Sequence, residues 1–162
     1  MTQVKAVNSH LRSSGAQTTV KGPSIMTSKI LCPTDGSDHG TVGVILAAEV
    51  AKATGGHLTV CAVNIAHGGV RGPNISHWKA DEVAKLLADA EALAKTEGAA
   101  DIGVTEIVAR EAAPAIIAYA EQNGYTHIVM GTGDKRGLQR LVLGSVASEV
   151  ASRAHCTVTI AR

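Results

Sequence analysis

The residues with the clearest chemical potential lie together near the C-terminal end, in the stretch MGTGDKRGLQRLVLGS from Met130 to Ser145. The apolar run HIVM leads into glycines and cations, and a helix-forming stretch follows a Gly-Ser pair. Strand, glycine-rich turn and helix together are a common way of presenting backbone N–H groups to phosphate. Neither common fingerprint fits, however. A P-loop counted from Gly131 requires glycine where Arg136 stands, and a dinucleotide GxGxxG using Gly131 and Gly133 meets the same arginine. The Gly144-Ser145 pair carries more. If a helix starts there, Ser145 and the amides of Val146 and Ala147 form an anion cradle, because the first N–H groups of a helix lack partners and the dipole favours negative charge. Two structural readings stand beside this one: Ser145 as a plain helix cap, or Gly144 as a small residue that lets two helices pack.

A second chemically suitable loop follows the first apolar run, in PTDGS. Ionised Asp35 is acceptor-only, suited to ribose hydroxyls or an adenine amine. Its alternative role is to stabilise its own turn. Val63 and Met130, at predicted strand ends, would form an apolar slot for a base or simply pack in the core. The named histidines (His39, His57, His67, His77, His127 and His155) are scattered without metal-binding spacing, although His67 and His77 flank a loop that could approach a ligand. Tyr119, Tyr125 and Trp78 read as packing residues. No GxSxG elbow is present, and Cys32 reads as a core thiol, so no activated nucleophile or general base is named.

The elements that must position these loops alternate regularly. Strands are predicted at 29–34, 57–65, 102–110, 126–131 and 156–162. Helices are predicted at 41–55, 78–98 with Ser76 as its cap, 112–124 with Pro114 in its first turn, and 141–154. A βαβαβαβαβ order with right-handed crossovers implies a single doubly wound, Rossmann-like α/β domain over 28–162, with a five-stranded parallel sheet and helices on both faces. Ligands in such folds bind beyond the carboxyl ends of the strands, where strand order reverses. Both loops fall there. Residues 1–27 are rich in Ser, Thr, Lys and Gln without a sustained hydrophobic period, and read as a disordered arm.

Composition removes several function classes. With 15 Lys and Arg against 14 Asp and Glu, no strong field attracts DNA or an anionic membrane. Phe is absent, and two Tyr and one Trp leave few stacking platforms for single-stranded nucleic acid. No apolar run reaches membrane-spanning length. Three widely spaced cysteines without a CxxC pair or secretory signal point to a reducing cytoplasm. A phosphoacceptor receiver shares the fold class but needs an acidic cluster after the third strand, where the chain reads VAREAAPA.

From Lys29 to Arg162 the chain resembles the universal stress protein family. ILCPTDGSDHG is similar to that family's first strand and turn. IVMGTGDKRGLQRLVLGSVASEV is similar to its ATP motif: Gly, two residues, Gly, nine residues, then Gly and Ser or Thr. The resemblance implies ATP as ligand, with Pro33, Thr34 and Asp35 at adenine and ribose, Val63 beside the base, and Met130, Gly131, Gly144, Ser145 and Val146 closing the base and phosphate side. It also implies a homodimer through the last strand, where Val158 and Ile160 share a face. Position 134 departs from the motif, since Asp134 stands where the second glycine belongs. A carboxylate about 4 Å from a phosphate charge costs about 4 kcal/mol at an effective dielectric of 20 and about 1 kcal/mol in open water. Gly133 restores local freedom to the loop, and Lys135, Arg136 and Arg140 add three cations. A Mg²⁺ between carboxylate and phosphates would reverse the sign of the interaction. The leading expectation is a stress-related regulatory protein that binds ATP. The alternative is an interaction module that has lost nucleotide through Asp134.

Overall fold

The computed structural model describes residues 28–68, 75–132 and 143–162. Five strands form one parallel sheet: β1 (Lys29–Pro33), β2 (His57–His67), β4 (Ile102–Ala109), β5 (His127–Gly131) and β6 (Thr157–Ala161). Their spatial order is β4-β2-β1-β5-β6. The chain builds outward from β1 through β2 to β4, then returns to the other flank of β1 for β5 and β6. The order therefore reverses between β1 and β5, which pair in parallel through Ile30–His127 and Leu31–Ile128. A two-residue strand that the periodicity does not mark, β3 (Ile75–Ser76), pairs antiparallel with the far end of β2.

Helices α1 (Asp38–Thr54) and α2 (Ala80–Thr96) cover one face, α3 (Ala112–Gln122) and α4 (Ser145–Arg153) the other. The central strands are buried on both faces, which is why they read as continuous apolar runs. Ile30, Cys32, Val60 and Val129 pack toward α1 and α2, whereas Leu31, Cys61, Ile128 and Met130 pack toward α3 and α4. Each fully buried Ile or Leu stabilises the fold by about 1.5–3 kcal/mol. With no Phe to fill space, small helix faces such as Ala47, Ala48 and Ala51 lie close on the sheet. Tyr125 is buried with its hydroxyl donating to Thr59 Oγ1 at 2.8 Å, and Tyr119 stacks on it. Trp78 packs against the Ala62, Val83 and Leu87 cluster. The three aromatics are packing residues, as their sequence contexts suggest.

Helix starts differ most from expectation. α1 begins three residues early, at Asp38, because Ser37 is its cap: Ser37 Oγ accepts the Gly40 N–H at 3.1 Å, and Asp38 sits in the first turn. The two early glycines, Gly40 and Gly43, hide this turn from a propensity reading. α2 begins at Ala80, and Ser76 is not its cap but part of β3, opposite Ala66. Lys79 takes the cap position, and the Glu82 carboxylate accepts its backbone N–H at 2.7 Å. The expected helix over 141–154 is described from Ser145, since 141 and 142 lie outside the described residues. The expected arm over 1–27 also lies outside them.

At the β5–β6 pairing, half-buried His127 meets Thr159 Oγ1 through Nε2 at 2.8 Å. Burial pulls its pKa below the ordinary 6.5. The unfolded chain then binds a proton more readily than the folded one, so this contribution to stability is full above the ordinary pKa and declines as pH falls below it. Melting temperature should drop between about pH 7.5 and 5, and His127→Gln should remove part of that drop. An unchanged pH profile in the variant would contradict this account.

Candidate functional site

The turn leaving β1, the end of β5 with Thr132, and the first turn of α4 line a cleft of about 270 Å³ at the carboxyl end of the sheet, at the strand-order reversal. Nine of the twelve residues singled out in the sequence line it: Pro33, Thr34, Asp35, Val63, Met130, Gly131, Gly144, Ser145 and Val146. The other three, Gly133, Asp134 and Arg136, lie outside the described residues, as do Lys135 and Arg140. Val63 does not end its strand, since β2 continues to His67, but it still faces the cleft. His67 and His77 flank the cleft region without lining it. His77 lies edge-on to Trp78 and donates its backbone N–H to Ile65.

The walls divide by chemistry. Val63, Ile116, Met130 and Pro33 form an apolar side beneath the amino-terminal end of α3. On the polar side, Asp35 Oδ1 accepts the Ser37 N–H at 3.0 Å and the Ser37 hydroxyl at 2.6 Å. Asp35 thus does stabilise its own turn. Among the described residues its second oxygen accepts no hydrogen bond, and Asp35 is the sole ionisable side chain lining the cleft.

At the opposite wall Gly144 is the cap position of α4, with extended geometry and no side chain to satisfy the helix amides. Ser145 is the first helical residue and not the cap, and its hydroxyl is exposed. Ser148 N–H takes the first intrahelical bond, to the Gly144 carbonyl. Among the described residues the amides of Ser145, Val146 and Ala147 have no acceptor. The helices differ in this respect. α1 has a serine cap and an acidic first turn, and α2 carries Asp81 and Glu82, whereas α4, like α3, has neither a capping side-chain bond nor a first-turn acid. Its positive end is open to an anion.

Backbone contacts fix the distance between the two walls. A Cβ on Gly131 would overlap the His39 carbonyl oxygen of α1, and one on Gly43 would lie 2.7 Å from the Gly131 nitrogen. Next along the chain, Thr132 joins three elements. Its carbonyl accepts the Gly144 N–H at 2.7 Å, and its Oγ1 lies 3.3 Å from His39 Nδ1. Thr132 was not singled out in the sequence, and His39 was read there only as one of the scattered histidines. The nearest signal was the position of Thr132 between Gly131 and the glycine-rich loop.

Asn64, also missed, lies near the end of β2. It is 3% exposed and clamps the returning chain: its Oδ1 accepts the Trp78 N–H at 3.0 Å, and its Nδ2 donates to Trp78 O and Glu106 Oε1. A lone Asn in an apolar strand was its signal. The thiols of the sheet are chemically quiet. Burial pushes the Cys32 thiol up to about 12 and Cys61 well above its ordinary range. Among the described residues no three His, Cys, Asp or Glu side chains gather to hold a metal. No described helix is long and apolar enough to cross a membrane.

Fold and cleft together define a doubly wound α/β domain with a cleft at its topological switch point. The universal stress protein family model matches residues 26–162. The chain is 35% identical over 140 residues to universal stress protein MJ0531 of Methanocaldococcus jannaschii, covering 83% of this chain and 81% of the relative. The chain belongs to the universal stress protein family. Among solved structures it is similar to a universal stress protein in complex with cAMP, at 24% identity and a TM-score of 0.67, over 83% of this chain and 96% of that one. It is also similar to a universal stress protein of Archaeoglobus fulgidus in complex with dAMP, at 24% identity and a TM-score of 0.62, over 85% and 99% of the two chains.

The glycine contact yields a stability prediction. Gly131→Ala should cost about 3 kcal/mol, the upper end of the overpacking range, as read by urea denaturation. Gly103→Ala, whose Cβ would meet nothing nearer than His57 at 3.5 Å, should cost less than about 1 kcal/mol. Equal costs would contradict the close approach of α1 to β5.

Proposed function

We propose that this protein is a regulatory binding protein for adenine nucleotide, with ATP as its ligand. The carrying observation is the open first turn of α4 facing an apolar wall across the strand-order reversal. The base would lie against Val63, Ile116 and Met130. Asp35 would accept from ribose hydroxyls through its free oxygen. One phosphate would rest on the Ser145, Val146 and Ala147 amides and the Ser145 hydroxyl. The cAMP and dAMP complexes of the related structures support an adenine nucleotide in this reading.

The chain would match the family's ATP motif at Gly131, Gly144 and Ser145 and depart from it at Asp134. With Mg²⁺ between the Asp134 carboxylate and the outer phosphates, the departure becomes a metal preference instead of a loss. Gly133 and Arg136 would complete that loop. The protein acts in a reducing cytoplasm in this account and pairs as a homodimer through the outer edge of β6. An unpaired edge strand of that kind needs a partner or a cover. Val158 and Ile160 lie on the α3–α4 side of β6. The role proposed is binding, with at most slow ATP hydrolysis or autophosphorylation beside it. Asp134 itself favours a second reading, an interaction module that binds no nucleotide.

Calorimetric titration with ATP and AMP, with and without Mg²⁺, separates the two. Saturable binding supports the first reading, and its absence at millimolar nucleotide supports the second. Ser145→Ala combined with Gly144→Val should abolish binding with the fold intact by circular dichroism. The Gly144 backbone, at φ −58° and ψ 155°, accepts valine without strain. Retained affinity would refute the site. Asp134→Gly should tighten metal-free binding by about 1 kcal/mol, roughly fivefold, or more, and should weaken the Mg²⁺-dependent part if the carboxylate holds the ion. No change in either condition would mean that residue 134 does not approach the phosphates.

A further inference from the structure

A second cavity, about 460 Å³, lies between α1 and α2, across the sheet from α3 and α4. Its floor is apolar, made by Val44, Leu86, Ala90 and Leu93. Its rim is acidic, with the carboxylates of Asp35, Glu82 and Asp89 and one ammonium, Lys85, already paired with Asp89 at 2.5 Å. An apolar floor with excess negative charge at its rim fits an extended basic segment bearing a few aliphatic side chains.

The chain carries such a segment. Residues 1–27 hold Lys5, Arg12 and Lys21 and no Asp or Glu. The remaining 135 residues therefore hold 12 of the 15 cations and all 14 acids, so the segment is basic and the domain acidic. Val4, Val7 and Leu11 lie among the first two of these cations and supply aliphatic groups for the floor. The path is short enough. Ser28 packs against Gly56, just beyond the end of α1, and Gly98 beyond the end of α2 lies against Lys52 of α1. The two helices therefore run side by side, with Leu93 toward the end where the segment begins and Asp35 at the other. Helix α1 is about 25 Å long at 1.5 Å per residue. About eight extended residues cover that distance, well within the length available.

We propose that the α1–α2 groove is the docking site of this chain's own residues 1–27, with their Lys and Arg side chains on the Asp35, Glu82 and Asp89 rim. Asp35 also lines the nucleotide cleft. A docked cation would thus draw on the carboxylate offered to a ribose. That consequence rests on the nucleotide reading, whereas the docking does not and is tested without nucleotide.

The test is zero-length carbodiimide cross-linking of the full chain, with peptide mass mapping and mixed isotopic labels to separate links within a chain from links between chains. The Lys85–Asp89 pair serves as the internal positive control. Lys5 or Lys21 should join Asp35, Glu82 or Asp89 within one chain. The yield should fall severalfold at about 1 M salt, where the screening length is about 3 Å. Links formed only between chains, or none to this rim while the control pair reacts, would overturn the proposal.

Discussion

The structure depends on one backbone contact: the first turn of α1 pressed onto the last residue of β5, with glycine on both sides. Gly131 and Gly43 leave no room for a Cβ between His39 and the strand. Protein interiors tolerate little displacement, so helix and strand ends are held at nearly fixed separation. β1 and β5 are the two strands between which the order reverses, and the cleft opens above them. Thr132 follows directly and passes the constraint to the start of α4 through its carbonyl, while His39 holds its hydroxyl. A turn of α1, an end of β5 and the cap position of α4 thus form one rigid frame around the site.

Within that frame the described residues give the cleft two walls of different chemistry. The cleft contains one carboxylate, and no described side chain brings a cation to it. Among the described residues, the feature suited to an anion is the set of backbone amides at the start of α4. The helix with a serine cap and an acidic first turn, α1, supplies the turn that positions Asp35 instead. A ligand satisfying both walls has a polar, hydroxyl-bearing middle, an anionic end and a flat apolar end. A nucleotide has those three parts in that order.

The central strands β1, β2 and β5 were legible because they are buried on both faces and read as apolar runs, whereas β4 at the sheet edge was legible from its alternation. The alternation of elements implied the doubly wound sheet, and the turn after β1 and the end of β5 lie at its order reversal, whereas residues 133–142 of the second loop lie outside the described residues. Boundaries set by side-chain capping were less legible. Gly40 and Gly43 look like helix breakers, yet both are helical and their smallness is used, Gly40 against the Thr34–Asp35 turn and Gly43 against β5. Ser76 looks like a cap, yet β2 recruits it into a two-residue strand. Ser145 turned out to be the first helical residue, which leaves its hydroxyl available to a ligand. Residues acting through long-range contacts gave little local signal: His39 and Thr132 are 93 positions apart, and Asn64 shows its role only when Trp78 folds back onto it. Asp134, the most distinctive residue of the motif, lies outside the described residues.

The central claim is that a nucleotide phosphate rests on the open amides of α4. Amide chemical shifts in a ¹⁵N-labelled sample titrated with ATP or AMP test it most directly. The account predicts that the largest shifts fall at Ser145, Val146 and Ala147, with smaller ones at Thr34 and Met130 across the cleft. Saturating nucleotide that leaves those three amides unmoved would contradict it.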